Sequence, residues 1–291
     1  MVSGLPQMPF KSVWLKYLWK ERRLAVLKQA FRMFGYHRTP FKSLLSNILR
    51  VMEEFHAGFT FPVVASLALR HADLIGLIKE FNQEIALHGY KHLNYSYLSA
   101  DEQRKDIENG LQAFRDLEIS VRGFRAPYNI CPDMTAKILE DFGFLWEGSL
   151  GFRKDYCELR SFFRVKMDDH DSSFVCIPIS RWSDDRMIDG YGLNSAQMVK
   201  VLKNALRETF EKRGVIMFDL HPVRIGQQKY IDVLNQILAY GEKMDGWFPT
   251  VTEAVEYWLK HRRWKGGAKF CCLLTGDIDS FTFSEYLTRL F

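Results

Sequence analysis

KFCCLLTGDIDSFTF, residues 269–283, is an apolar run that ends in two carboxylates, Asp277 and Asp279, close to the end of the chain. A segment of Phe, Cys and Leu is suited to burial. A carboxylate carried inside with it is costly unless something pairs with it. The reading of the whole chain turns on which groups elsewhere meet these two acids.

Working back from this stretch, strand-like and helical segments alternate over most of the 291 residues. FKSLLSNILRVMEEF (41–55) has helical spacing, and GFTFPVVAS (58–66) reads as a short strand. ADLIGLIKEFN (72–82) is helical and EIAL (84–87) is a strand. Ser99 and Glu102, three apart, form a capping box ahead of an amphipathic helix. RGF (122–124), FLW (144–146), FVCIPIS (174–180) and VIMFDL (215–220) are further strand candidates, with helical patterns between and after them. Such alternation predicts a parallel α/β fold. About seven short strands fit a barrel or a doubly wound sheet, and in both the function gathers at the C-terminal strand ends.

The residues at those ends form a pattern. HGYKH follows EIAL and brings His88 and His92, RAPY follows RGF and brings Arg125, and RWSDD follows FVCIPIS. His221 follows VIMFDL, and Asp277 and Asp279 follow FCCLLTG. Each has a plain structural reading by itself: a cap, a turn, or a solvated loop. Their recurrence at the same end of five strands points to one site. Two imidazoles and a carboxylate make a ligand set for a divalent ion with open positions for water. A second carboxylate can take the water's proton, and a separate histidine can protonate a leaving amine. Backbone N–H groups near Pro127 and Tyr128 can hold an oxyanion. These parts make a metal-assisted amide or ester hydrolase.

The stretch from FTFPVVAS through EIALHGYKH and GFRAPY to FGFLWEGS resembles the polysaccharide deacetylase family, also called NodB-homology or carbohydrate esterase family four. The resemblance covers roughly residues 40–225 and implies an irregular (β/α)7-type barrel. HGYKH matches the family's H-x-x-x-H motif, which makes His88 and His92 metal ligands. RAPY matches R-x-P-Y, which makes Arg125 the orienter of the catalytic carboxylate and the Tyr128 N–H an oxyanion donor, with Pro127 and Tyr128 lining the substrate site. DLHP resembles the late L-x-H motif, with His221 as general acid. RWSDD looks like the motif between them, with Trp182 as a pocket wall and Asp185, or else Asp184, steadying His221. The implied cofactor is a divalent metal, Zn first, with Co, Fe, Mn or Ni as alternatives. The implied substrate is an N-acetylated sugar or glycan precursor.

One departure decides the topology. The family begins with a strand ending in T-F-D-D-G, which supplies the base and a metal ligand. Here KQAFRMFGYHR (28–38) stands in that place and holds no acid. The motif reappears as LLTGDID (273–279), with Asp277 as base and Asp279 as ligand, and with Ile278 between them. The expectation is a circular permutation in which the C-terminal strand supplies the first barrel strand, beside FTFPVV. The alternatives are a strand that completes a neighbouring subunit, or a surface turn on a non-catalytic sugar-binding relic. Hydrolysis of a non-sugar C–N bond, such as an acyl-polyamine or cyclic ureide, is a second enzymatic expectation.

Composition bounds the rest. The chain is 47% hydrophobic with a net charge of +5, so no nucleic-acid partner is expected. Five cysteines, an odd number without a C-x-x-C, exclude a disulfide framework or zinc ribbon and favour a cytoplasmic protein. No apolar run is long enough to span a bilayer. Residues 1–39 are expected to be a basic helical extension and 40–291 the barrel domain. In the extension Leu24, Leu27, Phe31 and Phe34 fall at helical spacing among Lys and Arg. That helix is expected across the barrel bottom or at a subunit contact, with an anionic membrane surface as the alternative.

Overall fold

The computed structural model describes residues 23–152, 156 and 158–288. Eight strands form one sheet: β1 (Phe59–Val63), β2 (Glu84–Leu87), β3 (Gly123–Phe124), β4 (Trp146–Glu147), β5 (Val175–Cys176), β6 (Val215–Asp219), β7 (Gly246–Trp247) and β8 (Phe270–Thr275). Their spatial order is β5-β4-β3-β2-β1-β8-β6, with the short β7 paired to the start of β8. All these pairings are parallel. Just past β5 the chain meets β6: Ser180 N–H donates to Met217 O at 2.8 Å, and Met217 N–H to Pro178 O at 3.2 Å. That contact closes the sheet into an irregular (β/α)7-type barrel.

The strand at the end of the sequence is therefore central in space. β8 lies between β1 and β6, and all six of its residues are buried, as a parallel strand covered on both faces requires. It joins its own barrel rather than lying on the surface as a turn. The pairing continues past the strand proper, since Ile278 N–H donates to Pro62 O at 2.8 Å and Val64 N–H to Ile278 O at 3.3 Å.

Side chains alternate between the barrel interior and the helix layer. Ala86, Val215, Met217, Cys271 and Leu273 belong to the inner core with Trp146, whereas Ile85, Leu87, Ile216, Phe218, Cys272 and Leu274 pack outward against helices. Extending that parity along β2, β6 and β8 puts His88, Asp219, Thr275, Asp277 and Asp279 on the inner side. Ile278 goes to the outer core, where it is 1% exposed. This explains the Asp-Ile-Asp spacing: with a period of two, only alternate positions face the same interior.

Two ends of the barrel are closed differently. Helix Val251–His261, N-capped by Thr250, covers the N-terminal end, and its Val251, Ala254 and Val255 enter the inner core. The helix Arg23–Tyr36 lies at the opposite end. Its Tyr36 and Arg32 reach Asp189, and Phe34 packs on Phe283. The expected position across the barrel bottom is thereby corrected; that place is already filled by Val251–His261. The part of the basic segment before Arg23 lies outside the described residues. No helix among the described residues is long and apolar enough to cross a membrane. The capping box at Ser99 and Glu102 is present, with both reciprocal bonds made.

Candidate active site

The C-terminal mouth of the barrel gathers the acids and histidines. His88 ends β2 and is 1% exposed. Its Nδ1 is 2.8 Å from Arg125 O, which fixes the tautomer with the proton on Nδ1 and turns Nε2 into the mouth. Asp279 Oδ1 lies 3.3 Å and Asp277 Oδ2 3.7 Å from that Nε2, and His92 Nε2 is 3.4 Å from Asp279 Oδ1. The two imidazoles face each other edge to face at 5.1 Å. Each of His88, His92 and Asp279 offers a ligand atom, and these atoms lie within 4.8 Å of one another.

This convergence depends on a tight loop. Gly89 has φ +76°, and a Cβ there would meet Lys91 O at 2.8 Å, so a side chain is excluded. Asp106, from helix Ala100–Asp116, accepts the Tyr90 N–H at 2.8 Å, the Lys91 N–H at 3.2 Å and the Tyr95 hydroxyl at 2.7 Å. It holds the loop between the two histidines without touching either ring.

The donor set fits a divalent ion. His88 Nε2 is buried and makes no hydrogen bond, despite the carboxylates nearby. A buried imidazole nitrogen that faces only carboxylate oxygens, with no well-aligned hydrogen bond, favours a cation between them. Burial alone would lower the His88 basicity, but Asp277 and Asp279 outweigh it and raise the pKa, so the cluster favours a positive charge at this point. The Nδ1 bond to a backbone carbonyl is the outer contact that ligating histidines usually make.

Arg125, from the end of β3, is fully buried beneath the acids. Its Nη1 donates to Asp277 Oδ1 at 2.8 Å and to Asp219 Oδ1 at 3.0 Å, and its Nη2 to Thr275 Oγ1 at 2.8 Å. Oδ1 of Asp277 is thus held by the guanidinium, while Oδ2 faces the histidines. Asp219 is pushed up to about 7, first by burial and then by the Asp277 charge.

The RAPY turn is strained. Tyr128 and Asn129 have φ of 61° and 54°, a region that non-glycine residues seldom occupy. The bonds Asn129 N–H to Ala126 O and Ile130 N–H to Pro127 O hold the turn and do not use the Tyr128 N–H. Tyr128 is 54% exposed, and its ring meets the His92 ring at 4.5 Å. Ala126 N–H donates to Ser149 Oγ at 2.6 Å, and Glu147 accepts the Ser149 and Leu150 N–H groups, which fixes the turn from behind.

Across the mouth, His221 follows β6. Its Nδ1 is 2.7 Å from Asp184 Oδ1. Burial lowers its basicity, but Asp219 and Asp184 outweigh that and hold the imidazole well above its ordinary pKa. The partner is therefore Asp184, fully buried, and not Asp185 as the sequence reading assigned. Asp185 accepts the Ser183 hydroxyl instead, because the chain turns into the π-helical segment Asp185–Gly190. Trp182 precedes this pair in sequence and is half-buried, with its ring 5.9 Å from that of Tyr191.

The sequence reading missed Asp219, Thr275 and the supporting acids Asp106 and Glu147. Asp219 had a signal, since an acid closing an apolar strand is the feature that singled out Asp277. Asp106 had none, because it lies in the middle of a polar helix.

Residues 35–145 match the polysaccharide deacetylase family. The matched stretch contains HGYKH and RAPY, and not His221 or the C-terminal acids. A putative polysaccharide deacetylase from Mycobacterium smegmatis is similar over 86% of this chain and 87% of its own, with TM-score 0.68 and 22% identity. A probable polysaccharide deacetylase from Pseudomonas aeruginosa PAO1 is similar over 80% of this chain and 77% of its own, with TM-score 0.67 and 18% identity. The PuuE allantoinase gives TM-score 0.65 at 18% identity, over 80% of this chain and 77% of its own. At these identities the likeness establishes the deacetylase-type barrel fold. Among curated proteins none matches this chain.

Proposed function

We propose that this deacetylase-like barrel is a metal-dependent hydrolase that removes an N-acetyl group from a sugar or glycan precursor. The observation that carries the reading is the convergence of His88, His92 and Asp279, with His88 Nε2 buried and unbonded. These three residues would hold the ion, Zn first and otherwise Co, Fe, Mn or Ni. When bound, such an ion lowers the pKa of its water to roughly 7 and polarises a carbonyl. Asp277, oriented by Arg125, takes the water's proton on Oδ2. His221, held by Asp184, protonates the leaving amine. The Tyr128 N–H, left outside the bonds of its turn, donates to the oxyanion. Pro127, Tyr128 and Trp182 line the substrate site.

We also read β8 as the family's first strand moved to the C-terminus by circular permutation. Its place between β1 and β6, with both acids facing inward, supports this. The odd cysteine count favours a cytoplasmic setting. A second reading keeps the site and changes the substrate to a cyclic ureide, and the likeness to an allantoinase favours it. The test is metal stripping with a chelator, followed by assay on an N-acetylated sugar oligomer and on allantoin. Activity is expected to vanish and to return with Zn or Co. Full activity of the stripped protein would refute the metal role, and turnover of allantoin alone would select the second reading.

A further inference from the structure

The helix Arg23–Tyr36 lies almost wholly outside the family match, yet its side chains reach both ends of the site. On one side is Asp189. Tyr36 Oη donates to Asp189 Oδ1 at 3.1 Å, Arg32 Nη1 lies 3.1 Å from the same oxygen, and Arg224 Nε donates to Oδ2 at 2.9 Å. Asp189 sits in the π-helical segment that follows Asp184 directly, and Arg224 is three residues beyond His221. Both partners of the His221–Asp184 bond are therefore within a few residues of one knot, and Arg32 and Tyr36 of the helix bind it.

On the other side is the C-terminal tail. Phe34 meets Phe283 edge to face at 5.2 Å, His37 Nε2 is 3.5 Å from Ser280 Oγ, and Phe41 packs on Phe281 at 4.8 Å. Ser280 is the residue after Asp279. β-pairing ends at Ile278, and the tail beyond Asp279 is held by these contacts together with Glu285, which pairs with His71 Nε2 at 2.8 Å and Arg70 Nη2 at 3.2 Å. A 14-residue helix is marginal alone, and the contacts of Arg32 and Tyr36 with Asp189 and of Phe34 with Phe283 add to its stability, while His37 and Phe41 act from just beyond its end.

We propose that this helix is a strap that positions both ends of the site: Tyr36 and Asp189 for the His221–Asp184 pair, and Phe34 for the tail that carries Asp279. The proposal rests on the roles given above to His221 and Asp279. It makes the N-terminal helix a working part of the barrel.

The experiment uses the full chain labelled with ¹⁵N-histidine. The downfield Nδ1–H resonance of His221 is assigned by its absence in His221→Gln. Asp189→Asn and Tyr36→Phe are each expected to shift or broaden it while cobalt affinity stays unchanged. Phe34→Ala is expected to do the reverse, weakening cobalt binding about tenfold, as loss of an outer support of a metal site does. Lower melting temperatures with an unmoved resonance in both Asp189→Asn and Tyr36→Phe, or unchanged cobalt affinity in Phe34→Ala, would overturn the strap. Asp279→Asn separates the two levels: wild-type cobalt affinity in that variant refutes the metal assignment itself, whatever the strap variants do.

Discussion

The two ends of the barrel each bury a carboxylate network, and they are built on opposite terms. At the N-terminal end Glu84 Oε2 accepts the Thr60 hydroxyl at 2.7 Å and the Thr252 N–H at 3.0 Å. Its Oε1 accepts Trp146 Nε1–H at 3.2 Å and the Thr252 hydroxyl. Burial raises the Glu84 pKa, and these four donors oppose that. Trp146 can lie across the interior because the facing residue on β3 is Gly123, where a Cβ would fall 1.8 Å from the indole. At the C-terminal end Asp219 and Asp277 share a single guanidinium nitrogen, and His88 Nε2 has no hydrogen bond. A network whose members satisfy one another locks the structure. A network left with crowded acids around one imidazole nitrogen that has no well-aligned hydrogen bond keeps its strongest interactions for something that binds.

That contrast predicts opposite responses to the same kind of substitution. Asp277→Asn keeps an acceptor oxygen for Arg125, so a melting curve close to wild type is expected. Hydrolysis should fall by about a hundred- to ten-thousand-fold, the range for losing a general base. Activity near wild type in that variant would break the comparison at its functional end. Glu84→Gln presents an amide to donors and leaves one of them unmatched. Urea unfolding is expected to show a loss of about 1–3 kcal/mol, with turnover and metal content unchanged. If turnover drops and stability holds, the N-terminal network is more than a lock.

A smaller effect sharpens the picture at the strap. His37 is lowered to about 4, mainly because burial disfavours its charged ring. The unfolded chain therefore binds this proton first as the pH falls below about 6.5. The sign is a loss of stability from pH 6.5 down towards 4, and none above 6.5. A half-exposed ring should cost roughly 1–2 kcal/mol across that window, less than the full shift implies. His37→Asn should flatten the difference between denaturation curves at pH 7 and pH 5. An unchanged pH response in that variant would place the acid sensitivity elsewhere.

Much of the site was legible because strand ends are marked in sequence by a switch from apolar to polar residues. HGYKH, RAPY, DLHP and GDID each follow a strand-like run, and the structure brings all four to one mouth. Asp184 and Asp185 could not be told apart, since neighbouring residues differ by the local turn alone, and that turn is π-helical here. The spacing of Leu24, Leu27, Phe31 and Phe34 matches the helix Arg23–Tyr36, which lies at the mouth and not across the barrel bottom. An amphipathic pattern says which face is buried and does not say against what. Phe31, on the same apolar pattern, is 75% exposed.

The sequence by itself determined the parallel α/β class, the capped helices and the types of residue at the site, because these follow from local periodicity and from the cost of burying charge. Only the tertiary structure decided that β6 is the other neighbour of β8, that Asp219 joins Asp277 on Arg125, and that the first helix touches both Asp189 and the tail. Those are contacts between residues more than fifty positions apart. Their partners are chosen by barrel closure and inward-facing parity, and neither leaves a mark in any short stretch of chain.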